Sequence, residues 1–381
     1  MDRRTSMDRR TFLLSAAGAL SLSFARRWAK LEGSEIPETV AVGVDPRIEL
    51  FGVILLLGGF RGFAGHTPLT GLSFPYRDEV EARFGALRDH PVVGQYDRMA
   101  ERGFWLTHPP SAMLHLTPPP ELAERIPVND FTVRMAGGRE SLDAFLTQAR
   151  DFAEASNFMA WFQEQEPFHR ELAGRYRDRM AWDYLQDLLD YYGDRRERYT
   201  LILAPLAHPG GFGPRVVRPD GLHDAFAVVG PHEWENGQLD FGPEPAMRRL
   251  FWHEFSHAHV NHLTDRHVPD LLEAMEILQG HLRDEVEAFV PWEVHVSDWV
   301  SEHVVRAVTT RLTHLRIGPE EGDEVLRLEL AQFPHVDRIS HLLLEYEADR
   351  RSHPTLESFF PRIVQEFGRI AGGMADSPSP G

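Results

Sequence analysis

The chain has 381 residues, enough to bury a large core in one or two domains. A hydrophobic content of 42% with 26% charged residues describes an ordinary soluble globular protein. The formal net charge of −18 argues against nucleic acid and anionic membrane surfaces as partners, and the lack of any cysteine excludes disulfides and thiolate metal sites.

Residues 1–33 read as a targeting segment. Arg9 and Arg10 follow Asp8, and Phe12 to Ala25 is an uncharged, mostly apolar run. A charged stretch followed by a short apolar one is the order of an export signal. The paired arginines resemble the twin-arginine type, which carries folded proteins across a bacterial membrane, and Ser23-Phe24-Ala25 offers cleavage after Ala25. This places the mature protein in a bacterial periplasm or outside the cell. The apolar run is short for a membrane span, so no stable span is expected once the signal is removed. MDRRT occurs at 1–5 and again at 7–11, which makes Met7 an alternative start.

A single domain is expected over 34–370, with a helical part at 34–195, a β part at 196–240 and a second helical part at 241–370. Residues 371–381, rich in Gly, Ser and Pro, read as a disordered tail. Ser34 to Asp45 is linker-like. Asp45 is a natural N-cap and Pro46 fits the first helical position, so a helix is expected to run on toward Phe60. Glu49 and its glycines make that helix buried and not membrane-spanning. Arg77 to Leu87 and Gly94 to Arg102 read as helices, and the prolines between Thr107 and Glu121 interrupt helix there. Ser141 to Tyr192 is strongly helical. Thr200 to Pro205 and Ala225 to Val229 have strand character, with the glycine loop Pro209-Gly210-Gly211-Phe212-Gly213-Pro214 between them.

Next comes a helix over Pro243 to Leu263 carrying His253-Glu254-Phe255-Ser256-His257, the HExxH pattern. Histidines four apart share one helix face, so both imidazoles can hold one zinc ion, with Glu254 one position round as general base. On the wheel His253, His257, Val260 and Thr264 share a side, flanked by Glu254 and Asn261. His259, His262 and His267 fall elsewhere and read as surface or supporting groups. His259 occupies a position that is usually apolar in such proteases. Paired strands before an HExxH helix match a zincin, in which an edge strand binds substrate backbone. The expected fold class is therefore α+β, mainly α, zincin-like, with a small β-sheet before the motif helix. Further helices are expected at Pro269 to Val290, Trp292 to Leu312, Pro334 to Arg351 and Leu356 to Ile370.

Two histidines leave a catalytic zinc one protein ligand short. Val260 and Leu263 stand where a metzincin has its glycine and third histidine, so a later glutamate is sought: Glu285, Glu287, Glu293 or Glu302. The wheel groups Glu302 with Asp298, Arg306 and Thr309. That position suits a cleft ligand and also a solvated ion pair with Arg306.

Over residues 44–365 the chain resembles an uncharacterised bacterial family, a domain of unknown function whose members look like exported gluzincin-type peptidases. The likeness is strongest at VDPRIELFGVILLLGGF (44–60), HEFSHAHVN (253–261) and SEHVVRAVTTR (301–311). It is weaker at Asp89-His90-Pro91 and at LEYEADRRSHPTLESFFP (344–361). The resemblance implies His253, His257 and Glu302 as ligands of one zinc per chain, and Glu254 as base. The activity expected is hydrolysis of a peptide or protein substrate by metal-activated water. A zinc hydrolase of another amide or ester is an alternative, as is a non-catalytic extracytoplasmic zinc-binding protein. Tyr346, His335, Tyr199 and His232 are all open as oxyanion donors.

Overall fold

A computed structural model describes residues 40–62, 67–179, 183–194, 197–221, 223–283 and 292–375. Residues 1–33, expected to be a targeting segment, Glu285, Glu287 and residues 376–381 of the expected tail lie outside this set.

Strand β1 (Ala41–Gly43) lies in the stretch read as linker and leads directly into helix α1 (Pro46–Leu57). Asp45 caps α1 as the sequence predicts, accepting the Arg47 N–H at 2.8 Å with Pro46 at the first position. The Arg47 guanidinium donates to the same carboxylate and to the Leu114 and Leu116 carbonyls at 3.1 and 2.9 Å. Every α1 residue except Gly52 is buried, so its sequence is apolar without a stripe. No helix among the described residues is long and apolar enough to cross a membrane.

Glu49 is fully enclosed in α1. Its carboxylate accepts the Tyr76 hydroxyl at 2.7 Å, and that hydroxyl also lies 3.2 Å from His169 Nε2. Burial pushes the Glu49 carboxyl from 4.5 up to about 8, against the Tyr76 bond, which lowers it, and with Asp45, which raises it. The folded state then holds a proton that the unfolded chain releases above 4.5. The sign follows: stability falls as pH rises from 4.5 to 8, on the order of 1.4 kcal/mol per unit. Glu49→Gln keeps an acceptor for Tyr76 and cannot ionise. It is expected to match the parent at pH 4.5 and exceed it by a few kcal/mol at pH 8. Urea unfolding at the two pH values checks this, and parallel pH profiles would refute it.

The remaining N-terminal helices are α2 (Pro75–Phe84), α3 (Pro91–Ala100), α4 (His108–Leu114), α5 (Asp130–Met135), α6 (Arg139–Ala155), α7 (Phe158–Glu164), α8 (Glu166–Arg179) and α9 (Asp183–Tyr192). Helix α1 packs against α2, α3, α4 and α7. Pro109 and Pro110 do not interrupt helix; they sit at the start of α4, where the missing N–H costs nothing. The expected run from Ser141 to Tyr192 is divided into α6 to α9, with Asn157 in the left-handed region at φ 50° between α6 and α7.

The sheet is mixed. Strands β1, β2 (Glu197–Leu203) and β5 (His223–Gly230) are parallel neighbours. The far side of β5 pairs antiparallel with β3 (Gly210–Phe212) at its end and with β4 (Arg215–Val217) at its beginning. Strand β3 is thus the last in the order β1-β2-β5-β3. A hairpin of β6 (Glu233–Glu235) and β7 (Gln238–Asp240) follows.

Helix α10 (Glu244–Gln279) carries the HExxH motif and has 36 residues, about 54 Å. It continues through Pro269, where the sequence predicts a break. A proline inside a helix costs about 3 kcal/mol, and packing of α10 along α11 (Trp292–Arg316) and α14 (Leu356–Ala375) offsets it. Helix α14 extends past Ile370 into the expected tail. Helix α12 (Pro319–Glu329), which the sequence reading misses, follows Gly318 at φ 156°, and α13 (Val336–Ala348) completes the set. The architecture is α+β and mainly helical.

Candidate metal centre

Helix α10 packs on β3 and β5 on one side and on α11 on another. His253 and His257 lie one turn apart with ring centroids 5.1 Å from each other. Among the described residues, the donor atoms of His253, Glu254 and His257 fall within 4.8 Å of one another. Helix α11 brings Glu302 to the same pair. Its Oε2 is 3.7 Å from His253 Nε2 and its Oε1 is 3.4 Å from His257 Nε2. These separations are long for hydrogen bonds. They suit a shared ion, because two donors each 2.0–2.1 Å from a tetrahedral zinc stand roughly 3.3 Å apart. Proximity alone would group Glu254 with the imidazoles. Glu302 faces both Nε2 atoms with separate oxygens.

The surroundings set protonation. His257 Nδ1–H donates to Asn261 Oδ1 at 3.0 Å, one turn along α10, which turns Nε2 toward Glu302. Burial drives the His253 imidazole down to about 3, against Glu302, so it stays neutral, as a metal ligand must. Burial raises the Glu302 carboxyl, and His257 and His253, when protonated, together with Arg306 outweigh it and lower it. Arg306 favours the ionised carboxylate whatever the charge of the imidazoles. Its Nε–H donates to Glu302 Oε2 at 3.1 Å, Nη1 reaches Glu329, and the guanidinium covers the Phe333 ring at 3.9 Å. Glu302 is therefore both the partner of Arg306 and a neighbour of the histidines; the two sequence readings are not exclusive. Burial holds the Glu254 carboxyl well above the usual carboxylate range, with Glu302 adding and Arg306 relieving.

The glycine loop is part of this site. Strand β3 lies against α10 so closely that a Cβ on Gly211 would stand 2.6 Å from Glu254 Oε1. One on Gly213 would overlap the Glu254 carbonyl oxygen and come within 2.8 Å of His257 Cβ. Phe212 points to the other face and is buried. The two contacts differ in kind. Gly211→Ala meets the movable end of a side chain, whereas Gly213→Ala meets backbone. Gly213→Ala is expected to cost about 1–3 kcal/mol as overpacking, and Gly211→Ala less. Chemical denaturation checks the order, and equal stability of Gly213→Ala and parent would show that β3 can move off the helix freely.

Other expected site residues are engaged elsewhere. Tyr346 is buried and its hydroxyl donates to the Tyr191 carbonyl. The Tyr199 hydroxyl sits 2.6 Å from His259 Nε2. His335 has its ring beside Trp299 and His303, and His232 is exposed next to the β6–β7 hairpin. Glu293 is exposed near the start of α11. His259 is not a surface group. It is 4% exposed and stacks on Tyr192 at 4.3 Å, and so fills the usual apolar slot with an aromatic face. It ties α10 to β2 through Tyr199. The wheel places Asn261 beside the pair without giving it a role, although i+4 from His257 is where a helix offers that ring a partner.

A mainly helical α+β chain with a His-Glu-His cluster beside a sheet edge is the class defined so far. The chain belongs to the family described as Domain of unknown function (DUF4932), which matches residues 40–366. No curated protein and no solved structure matches it.

Proposed function

We propose that this chain is a zinc-dependent peptidase, with His253, His257 and Glu302 as ligands and Glu254 as general base. The observation that supports it most is Glu302 of α11 standing 3.7 and 3.4 Å from the Nε2 atoms of two histidines held by α10. The donor set fits zinc: two imidazoles, one with its tautomer fixed by Asn261, and an ionised carboxylate. When bound, zinc supplies Lewis acidity that brings the pKa of a water near 7 and polarises a carbonyl. Glu254, enclosed and adjacent, would take the proton of the attacking water and return it to the leaving amine once the charge of a bound cation offsets the burial that favours its protonated form. Arg306 keeps Glu302 ionised and oriented. Strand β3 ends the sheet and lies on Glu254, so an extended peptide can pair with its main chain and be held near that base. Main-chain pairing of this kind favours a peptide over a simple ester or a small amide.

The test is metal analysis of the purified chain together with digestion of a peptide library. About one zinc per chain is expected, with cleavage that a chelator stops and zinc restores. A chain that binds no zinc refutes the centre. One that binds zinc and hydrolyses esters but no peptide refutes the substrate class.

A further inference from the structure

Away from the candidate metal centre, a cleft of about 290 Å³ opens between the end of α1, the segment 67–71 and helix α2. At roughly 30 Å³ per water it has room for about ten, enough for a phosphate or a small polycarboxylate. Three arginines line it: Arg61, Arg77 and Arg88. Among the described residues the one carboxylate on its wall is Glu81, 3.7 Å from Arg77 Nε. Such a concentration of positive charge is unexpected in a chain of net charge −18.

The guanidinium groups are fixed from behind by main chain. Arg61 Nη1 donates to the Gly58 and Phe60 carbonyls at 2.8 and 3.0 Å, and Arg88 Nη1 to the Leu57 carbonyl at 3.3 Å. Arg77 Nη1 donates to the Thr70 and Leu72 carbonyls, both at 2.9 Å. Among the described residues, Nη2 of all three, and Nε of Arg61 and Arg88, have no acceptor. Thr67 and Thr70 add hydroxyls to the wall. Closing the C-terminal end of α1 occupies Nη1 of Arg61 and of Arg88 and leaves their Nη2 groups for another acceptor. Three cations in one cleft repel one another unless an anion joins them, and a guanidinium with free N–H groups is suited to two-pronged contact with phosphate or carboxylate.

We propose that this cleft binds a small, multiply charged oxyanion, bearing phosphoryl or carboxylate groups, through Arg61, Arg77 and Arg88. Its floor also touches the connection between β2 and β3. Leu69 bridges Ala207, and Thr70 N–H donates to the Leu206 carbonyl at 3.0 Å, a few residues before β3.

Calorimetric titration of the full chain with inorganic phosphate and, separately, with citrate, in constant sodium chloride, tests the site without reference to hydrolysis. The peptidase reading can therefore fail while this one stands, and the reverse. Saturable one-site binding with Kd below about 1 mM is expected for at least one anion. Arg61→Ala and Arg88→Ala should each weaken it about tenfold or more, the size of one charge-assisted bond. Glu81→Gln should tighten it, and Arg327→Ala, on the distant α12 surface, should leave it unchanged. Arg61 and Arg88 are exposed, so their variants keep the fold even if Arg77→Ala does not. Binding of phosphate alone assigns a phosphoryl ligand, and of citrate alone a carboxylate one. A response that never saturates, or one equal in parent, Arg61→Ala and Arg88→Ala, overturns the site.

Discussion

Glu254→Gln is expected to keep zinc at about one per chain and to lower peptide hydrolysis by about 10²–10⁴-fold, the loss typical of a positioned general base. The substitution preserves size and an acceptor oxygen in a space bounded by Gly211, so α10 and β3 need not move. It also removes an ionisable group that burial disfavours in its charged form, so thermal stability should hold or rise. Retained zinc, retained fold and lost turnover together separate a base from a structural residue. Measurement of kcat with zinc content on the same sample decides it, and a rate equal to the parent's would remove Glu254 from the chemistry. A non-catalytic zinc-binding protein gives no turnover in either chain and is recognised by that.

The parts of this centre that sequence reading reaches are those set by local geometry. His253 and His257 are four apart, and any α-helix aligns them, so their juxtaposition follows from spacing alone. Asp45 and Pro46 announce the start of α1 for a similar reason. Glu302 lies 45 residues beyond His257, and its approach depends on how α11 packs against α10, which a helical wheel cannot report. The wheel sees Arg306 at i+4 and stops there. The glycine loop is harder still. That Gly211 and Gly213 face Glu254 while Phe212 faces away follows from the register of β3 on β5, which nothing local fixes. Pro269 and His259 mislead in opposite senses. One is a helix breaker overruled by packing on both sides of α10, and the other is a polar residue buried through its ring face.

The proposed third ligand has the sharpest expected mutational signature. Glu302→Ala should lower zinc affinity by more than the 10–100-fold that follows loss of a partner behind a ligand, since here the ligand itself is lost. Arg306→Ala, which removes such a partner, should fall within that 10–100-fold range. Glu293→Ala and Asp298→Ala should leave affinity nearly unchanged. Folding should respond little to Glu302→Ala. The Glu302–Arg306 pair is part-exposed and worth about 1 kcal/mol or less, and Arg306 retains Glu329 and the Phe333 ring. A large change in zinc binding beside a small change in stability is thus the pattern of a ligand, and the opposite pattern is that of an ion pair alone. Competition titration with a chromophoric chelator reads the first quantity and urea unfolding of the metal-free chain the second. Parent-like zinc affinity in Glu302→Ala would move the third donor to another carboxylate and leave the 3.4 and 3.7 Å approaches as an electrostatic contact between an ion pair and two histidines.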